Sequence, residues 1–382
     1  MIPYSRQSIF NDDIQQVVKV MKSKFLTQGK LLETFEKKIS KFVGSKYAVA
    51  VSNASAGLHL SCLALNLNRK NILWTVPNTF VASASCALHC GAKIDFVDID
   101  ERSHNISLEK LKEKLEYSKK KNNLPKILIP VHFAGQPTIQ EKIYQLSKKY
   151  GFKIIEDASH SLGSRRFNEK AGSCKWSDLT VFSFHPIKPI TTAEGGIITT
   201  NNKVYYEKLK LLRNHGISRN YKKLKFKSNW YYEQVALGFN YRMNEIQAAL
   251  GISQLKKINK FNNFRNKAAK FYFKNLNNLP IKLPRIEINN YSSFHLFVIN
   301  FDENKVNKTY DKIYKELIDK KIGINLHYLP VHLHPIFRKL GFKNGDFPIS
   351  EKHARTAISI PLFYKITLKE QMKVVDALKK VF

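Results

Sequence analysis

Residues 153–160 read Lys153-Ile154-Ile155-Glu156-Asp157-Ala158-Ser159-His160. Residues 179–200 read Leu179-Thr180-Val181-Phe182-Ser183-Phe184-His185-Pro186-Ile187-Lys188-Pro189-Ile190-Thr191-Thr192-Ala193-Glu194-Gly195-Gly196-Ile197-Ile198-Thr199-Thr200. The first is a short apolar run that stops on two carboxylates. The second is an apolar run, a loop bracketed by prolines, and a Gly-Gly turn into another β-branched run. Runs of this length and composition predict strands at 153–156, 179–184 and 196–200. Further out, similar runs lie at 47–51, 72–76, 94–97 and 127–131, with helical spacing at 107–117 and 139–150. β-Branched runs separated by crossover helices predict an α/β fold with a mostly parallel seven-stranded sheet covered on both faces. Ligands of such sheets bind beyond the C-terminal strand ends.

After about residue 240 the pattern changes. Residues 243–275 read as one long helix, followed by a strand near 294–300, a helix near 307–320, a strand near 322–327 and a closing helix at 369–381. We therefore expect a large α/β domain over 1–240, with an N-terminal arm, and a smaller α+β domain over 241–382. Residues 219–234 are aromatic and basic and read as a surface excursion.

Composition limits the function classes. The 382 residues carry a formal net charge of +34, but the lysines are spread along the chain and no nucleic-acid-binding pattern accompanies them. The densest run, Lys119-Lys120-Lys121, reads as a solvated helix end. We expect no nucleic-acid partner; a basic surface still attracts a ligand with phosphates. No apolar run approaches the ~20 residues of a membrane span, and Met1-Ile2-Pro3-Tyr4-Ser5-Arg6 has no signal-peptide character. A cytoplasmic enzyme without a membrane anchor is the expectation. Cys62, Cys86, Cys90 and Cys174 contain no C-x-x-C pair and read as buried free thiols, and no metal site is expected.

Four segments fall at or just after predicted strand ends. Ser52-Asn53-Ala54-Ser55-Ala56-Gly57 opens a helix with small residues, which leaves backbone N–H groups free for an anion or simply makes an N-cap. Asp157 at a strand end either caps a helix or pairs with a protonated ring nitrogen. Lys188 lies between two prolines, so loop geometry positions it; alone it reads as one surface lysine among many. A desolvated lysine beside another cation has a lowered pKa and becomes a nucleophile. The stretch 190–196 is by itself only a turn.

Their order and spacing match the layout of fold-type I pyridoxal-phosphate enzymes. With Thr27-Gln28-Gly29-Lys30, Val131-His132-Phe133-Ala134-Gly135-Gln136, Asn214-His215-Gly216, Phe239-Asn240-Tyr241-Arg242-Met243-Asn244 and Val331-His332 after His327-Tyr328, the chain resembles the DegT/DnrJ/EryC1/StrS sugar aminotransferase family over nearly its whole length. That resemblance implies pyridoxal 5′-phosphate as cofactor and Lys188 as its Schiff-base lysine and later proton shuttle. It implies Asp157 at the pyridine nitrogen, His160 near the phenolic oxygen and Phe80 on the ring face. Ser55, Ala56 and Ser183 would hold the phosphate, and Asn240 would reach the phosphate of a neighbouring subunit in a homodimer with shared active sites.

The Ile-Thr-x-x-Glu-Gly-Gly form of 190–196 resembles the members that aminate C4. The implied reaction moves an amino group from glutamate to C4 of a nucleotide-linked 4-keto-6-deoxy sugar. The string 185–196 looks most like that of enzymes using UDP-2-acetamido-2,6-dideoxy-β-L-arabino-hexos-4-ulose in pseudaminic acid synthesis, with GDP-perosamine and UDP-4-amino-4-deoxyarabinose types as alternatives. Tyr4, Phe25, Leu26, Thr27, Gln28, His185, His327 and Tyr328 are the expected substrate contacts. Dehydratase relatives carry histidine in place of the lysine, so Lys188 argues against that chemistry.

Overall fold

The computed structural model describes residues 1–219, 226, 228 and 230–382. The excursion expected at 219–234 lies in part outside the described residues.

The sheet is built from β1 (Tyr47–Val51), β2 (Ile72–Thr75), β3 (Lys93–Phe96), β4 (Ile127–Leu128), β5 (Lys153–Asp157), β8 (Leu179–Ser183) and β9 (Gly196–Thr200). Between β5 and β8 lie two short strands, β6 (Arg165–Arg166) and β7 (Glu169–Lys170). The spatial order is β1-β9-β8-β5-β4-β2-β3. The pairs among β8, β5, β4, β2 and β3 are parallel; only β9 runs against its neighbours. The expected mostly parallel seven-stranded sheet is borne out.

Both faces are buried, as the unbroken apolar runs require. Val49 and Val51 of β1 pack with Val181 and Ile198 on one side, against Leu58, Ala84 and Leu209. Those three residues belong to α3 (Ala54–Ala64), α4 (Ala82–His89) and α7 (Lys203–Arg213). Ala48, Ala50, Phe182 and Ile197 face the other way, against Phe35 and Ile39 of α2 (Lys30–Val43) and Ala248 of α8 (Glu245–Leu255). The helix α1 (Asn11–Met21) packs outside α8. Around β2 to β5, Leu111 and Leu115 of α5 (Leu108–Lys120) and Ile143 and Leu146 of α6 (Gln140–Tyr150) fill a further core.

One buried charge pair fastens α2 to β1 and α7. The Glu36 carboxylate accepts from the Ala50 N–H at 2.9 Å and from Arg213 Nη1 at 2.5 Å, while Arg213 Nη1 also donates to the Ala50 carbonyl at 2.6 Å. Removing one partner of a buried pair strands the other charge. We expect Glu36→Ala to cost about 3–5 kcal/mol of stability, read as a lower denaturation midpoint; an unchanged midpoint would show the pair to be dispensable.

The remainder is built from β14 (Phe297–Phe301), with β12 (Ile281–Lys282) on one edge and β15 (Ala357–Ile360) on the other, all antiparallel. Helices α10 (Tyr310–Asp319) and α13 (Leu368–Val381) and the second half of α9 (Ile258–Leu276) pack on it through Ile313, Leu317, Val374, Leu378, Ala268 and Tyr272. Short helices α11 (Pro335–Arg338) and α12 (Pro348–Thr356) lead into β15. Two small accessory sheets are also formed among the described residues. In one, β10 (Ile217–Ser218) pairs with β11 (Glu233–Gln234); in the other, β13 (Asn290–Tyr291) joins β6.

Two elements differ from the sequence reading. The single helix expected over 243–275 is broken at Lys256 and Lys257 into α8 and α9. Lys257 Nζ reaches Asp12 and Asp13 of α1 at 2.6 and 2.8 Å. The break lets α8 lie on α1 and α2 while α9 serves the other core; helical periodicity continues through it, so the sequence pattern alone misses it. The strand expected near 322–327 is not a strand. Ile322 makes an isolated bridge to Ile2 and Asn325 another to Ser359, so its hydrogen bonds are split between two partners.

Candidate active site

The parallel strands deliver their C-terminal ends to one cavity of about 550 Å³. It is lined by Asn53 and Ser55 after β1, Thr79 and Phe80 after β2, Val131 after β4, Asp157 at the end of β5 and His160 after it, and Ser183 at the end of β8 with His185 and Lys188 after it. Tyr4, Asn325, His327 and Tyr328 close the opposite wall.

At the start of α3, Asn53 is the N-cap and accepts from the Ala56 N–H at 2.8 Å. The N–H groups of Ala54 and Ser55 have no intrahelical acceptor, as for any first turn, and lie where an anion is favoured by the helix dipole. Ala56 itself is buried and does not line the cavity, and its N–H is spent on the cap. Behind this turn, Gly196 of β9 lies so close that an added Cβ would stand 2.6 Å from the Asn53 carbonyl carbon and 2.7 Å from the Ala54 nitrogen. Backbone cannot yield cheaply there. We expect Gly196→Ala to cost about 1–3 kcal/mol through overpacking and to raise the cofactor concentration needed for half-saturation. A titration indistinguishable from wild type would sink this reading.

Asp157 is the last residue of β5 and is buried. Its Oδ2 accepts from the Ser83 hydroxyl at 2.6 Å and its Oδ1 from the Ser159 N–H at 3.1 Å. Ser83 in turn lies 3.0 Å from Thr79 Oγ1. Two fixed donors and a helix-borne hydroxyl chain hold the carboxylate in one orientation. The sequence reading missed Ser83, Thr79 and Asn53 as members of the site. Asn53 carried a signal in its capping position; Ser83 carried none, since its partner is distant in sequence.

Lys188 sits in a turn whose N–H donates to the His185 carbonyl at 2.9 Å. Burial of its side chain lowers the pKa to about 8, against the opposing attraction of Asp157. His160 Nε2 lies 3.1 Å from the Tyr328 hydroxyl. Burial, then Lys188 and His327, push His160 well below the ordinary histidine range, so it is neutral. His327 is held similarly, down to about 3, by burial and then by Lys188 and His353. Its Nδ1 lies 2.7 Å from the Ser359 hydroxyl. His185 is more exposed, and its pKa is lowered by burial and Lys188 against the pull of Glu194. Phe80 exposes its ring on the wall opposite Tyr328, centroids 6.4 Å apart.

Most predicted positions meet here: Tyr4, Ser55, Phe80, Asp157, His160, Ser183, His185, Lys188, His327 and Tyr328 all line the cavity. Phe25, Leu26, Thr27, Gln28 and Asn240 do not line it in the single chain. Phe25 and Leu26 are exposed, and the Leu26 carbonyl accepts from the Glu245 N–H. The Glu245 carboxylate holds the N–H groups of Gly29, Leu31 and Leu32 at the start of α2. Asn240 is exposed and bridges to Asn214.

Residues 7–379 match the model of the DegT/DnrJ/EryC1/StrS aminotransferase family. The chain belongs to that family. A Campylobacter jejuni relative, UDP-4-amino-4,6-dideoxy-N-acetyl-beta-L-altrosamine transaminase, is 37% identical over 99% of this chain and 96% of its own length. The structure of Helicobacter pylori PseC, an aminotransferase of pseudaminic acid biosynthesis, superposes with a TM-score of 0.90 at 32% identity and covers 100% of this chain and 99% of PseC. The pyridoxal-phosphate form of the Streptococcus pneumoniae sugar aminotransferase Spr1654 gives 0.89 at 25% identity, over 100% and 98%.

This sugar aminotransferase is therefore a pyridoxal-phosphate enzyme of the nucleotide-sugar type. The cavity suits that cofactor on its own terms. It brings a helix start with free N–H groups, a buried and oriented carboxylate, and a lysine of lowered pKa to one space. Among the described residues, no helix is long and apolar enough to cross a membrane.

Proposed function

We propose that this aminotransferase moves an amino group from glutamate to C4 of a nucleotide-linked 4-keto-6-deoxy sugar, with UDP-2-acetamido-2,6-dideoxy-β-L-arabino-hexos-4-ulose as the favoured acceptor. The observation that carries the reading is the opposition of Lys188 and Asp157 on the cofactor side of one cavity to Tyr4, His327 and Tyr328 on the other. The 37% identity to a transaminase named for the corresponding amino sugar supports the choice of acceptor. The pseudaminic acid pathway is the proposed setting, in the cytoplasm.

When bound, pyridoxal phosphate supplies an electron sink and carries the amino group between donor and acceptor. The chain's residues do the rest. The Ala54 and Ser55 N–H groups, with the Ser55 and Ser183 hydroxyls, hold the phosphate. Ala56 contributes by closing the cap and not by its own N–H. Asp157 holds the ring nitrogen, neutral His160 sits at the phenolic oxygen with Tyr328 behind it, and Phe80 covers the ring face. Lys188 anchors the cofactor and, once free, moves a proton to sugar C4; a pKa near working pH is what a general base needs. His185, Tyr4, His327 and Tyr328 are the sugar-side contacts, and Phe25, Leu26, Thr27 and Gln28 reach the nucleotide end.

Asn240 completes a partner's site, so the working unit is a homodimer. Its exposure in the single chain supports that placement. Mixing Lys188→Ala with Asn240→Ala chains should restore part of the activity on subunit exchange; no recovery would count against site sharing.

The decisive assay offers glutamate with each 4-keto nucleotide sugar in turn and measures the 4-amino product by mass. We expect turnover with the UDP-linked acetamido sugar. Turnover with only a GDP sugar or a UDP 4-keto pentose would replace this substrate and leave the reaction class intact.

A further inference from the structure

Outside the cavity, Cys62, Cys86 and Cys174 are buried as expected, while Cys90, at the C-cap of α4, is half-buried, which corrects that expectation. No group of three or more His, Cys, Asp or Glu side chains among the described residues is arranged to hold a metal ion. One buried histidine stands apart. His295 lies between β13 and β14 and is fully buried. Neither of its ring nitrogens has a hydrogen-bond partner among the described residues. It does not line the cavity. Its ring lies against that of His160, centroids 4.5 Å apart and tilted by 43°. His160 Nδ1 is likewise buried and without a partner among the described residues.

The contact is fastened from both sides. Ser293 Oγ donates to the His160 carbonyl at 2.8 Å, and Arg265 Nη1 donates to the His295 carbonyl at 3.2 Å. At Gly135, where φ is +97°, a Cβ would stand 3.0 Å from both the His160 carbonyl oxygen and the His295 nitrogen; glycine lets the two segments close. Packing alone would favour an apolar ring at 295, because a buried polar atom without a partner is costly. An ion pair does not explain the histidine either. Burial, then His160, Lys188, Arg265 and His327, push His295 well below the ordinary histidine range. His160 is neutral too, so two neutral imidazoles meet.

We propose that His295 is a positioning residue that fixes the tautomer of His160 from behind. The Tyr328 hydroxyl lies 3.1 Å from His160 Nε2. Burial pushes that hydroxyl above the ordinary tyrosine range, so it stays protonated and donates. A neutral imidazole has one donor and one acceptor nitrogen. With Nε2 accepting from Tyr328, the His160 proton sits on Nδ1. His295 brings two free nitrogens against the same ring. The torsion that turns an imidazole about its Cβ–Cγ bond is broad, and a small rotation of either ring brings a His295 lone pair to the Nδ1–H. The bond made by one nitrogen then sets the role of the other. His160 and the Tyr328 hydroxyl are thereby held in one pattern on the cavity wall. What that pattern does for catalysis rests on the proposed placement of His160 at the cofactor's phenolic oxygen; the tautomer does not.

The test is heteronuclear NMR of the full-length enzyme carrying isotope-labelled histidine, with and without cofactor. The His160 signals are assigned by their loss in His160→Gln. In the wild type we expect His160 protonated at Nδ1, with Nε2 the acceptor. The cofactor-free spectrum tests this apart from any assignment of amino donor or acceptor. His295→Phe keeps the ring and its burial and removes both nitrogens. His160 should then divide between its two tautomers, and single-turnover conversion of the bound cofactor by glutamate should slow about tenfold, the effect of one lost hydrogen bond. His295→Asn, which can accept through its amide oxygen, should recover part of both. A role in packing alone predicts the reverse ranking, with Phe tolerated and Asn harmful. That ranking overturns the proposal, as does an unchanged His160 tautomer in His295→Phe. So does a wild-type His160 protonated at Nε2, a measurement that needs no variant at 295.

Discussion

Lys188→Ala should yield a folded protein that binds pyridoxal phosphate without a covalent link and transfers amino groups at least about 10⁴-fold more slowly. Borohydride treatment of the wild type should fix the cofactor to the peptide bearing Lys188, and the variant should release it on denaturation. A variant that still acquires covalent cofactor would remove Lys188 from the role. The physical basis is the same burial that lowers its pKa to about 8. In the cofactor-free protein, an amine-directed reagent should modify Lys188 with a midpoint near pH 8, well below that of exposed lysines.

That lowered pKa also makes a stability statement. The folded-state value, about 8, lies below the reference of 10.5, so between those values the unfolded chain binds more protons. Stability conferred on the cofactor-free protein by removing this charge is then fully present below pH 8 and is lost as pH rises through the unfolded-state value. Lys188→Met should gain about 1–3 kcal/mol at neutral pH, with the gain shrinking as pH rises above about 8 and gone above the reference value of 10.5. The residue that chemistry needs is one that folding alone would discard. A lower midpoint for Lys188→Met than for wild type at pH 7 would contradict this.

The second large effect falls at Asp157. Asp157→Asn keeps the volume and removes the charge, so the fold should persist while kcat falls about 10³-fold, the order expected when one preorganised electrostatic partner is lost. The amide oxygen can keep the Ser159 N–H, and the Ser83 hydroxyl, 3.0 Å from Thr79 Oγ1, can reverse to accept from the NH₂ group, so the substitution tests charge with the local hydrogen bonds retained. Ser83→Ala removes one donor and leaves the Ser159 N–H, and should cost far less, about tenfold. Steady-state rates of the two variants, with circular dichroism as a folding check, decide the matter. Equal losses would mean that orientation, and not charge, is what Asp157 contributes; an Asp157→Asn rate within twofold of wild type would remove it from the site.

The sheet was legible in the sequence because its strand runs are local, whereas the site residues were reached through their order along the chain and the family resemblance. Runs of β-branched residues mark β1 and β9 at the limits read from the sequence, and a carboxylate or serine at the end of such a run marks a strand mouth whatever lies around it. The caps are similarly local: Asn53 and the Asn244–Gln247 capping box announce α3 and α8. Other features were decided only when distant segments met. Ser83 became a partner of Asp157, Glu245 became the cap of α2, and the helix expected over 243–275 broke at Lys257 where α1 supplied two carboxylates. The segment at 322–327 has strand-like residues, yet Ile2 and Ser359 each claim one of its bridges and no ladder forms. Backbone periodicity and capping depend on neighbours within a turn or two of the chain, and a sequence displays them. Which hydroxyl orients a carboxylate, and which lysine loses its water, depends on side chains brought together by folding, and only the tertiary structure sets those.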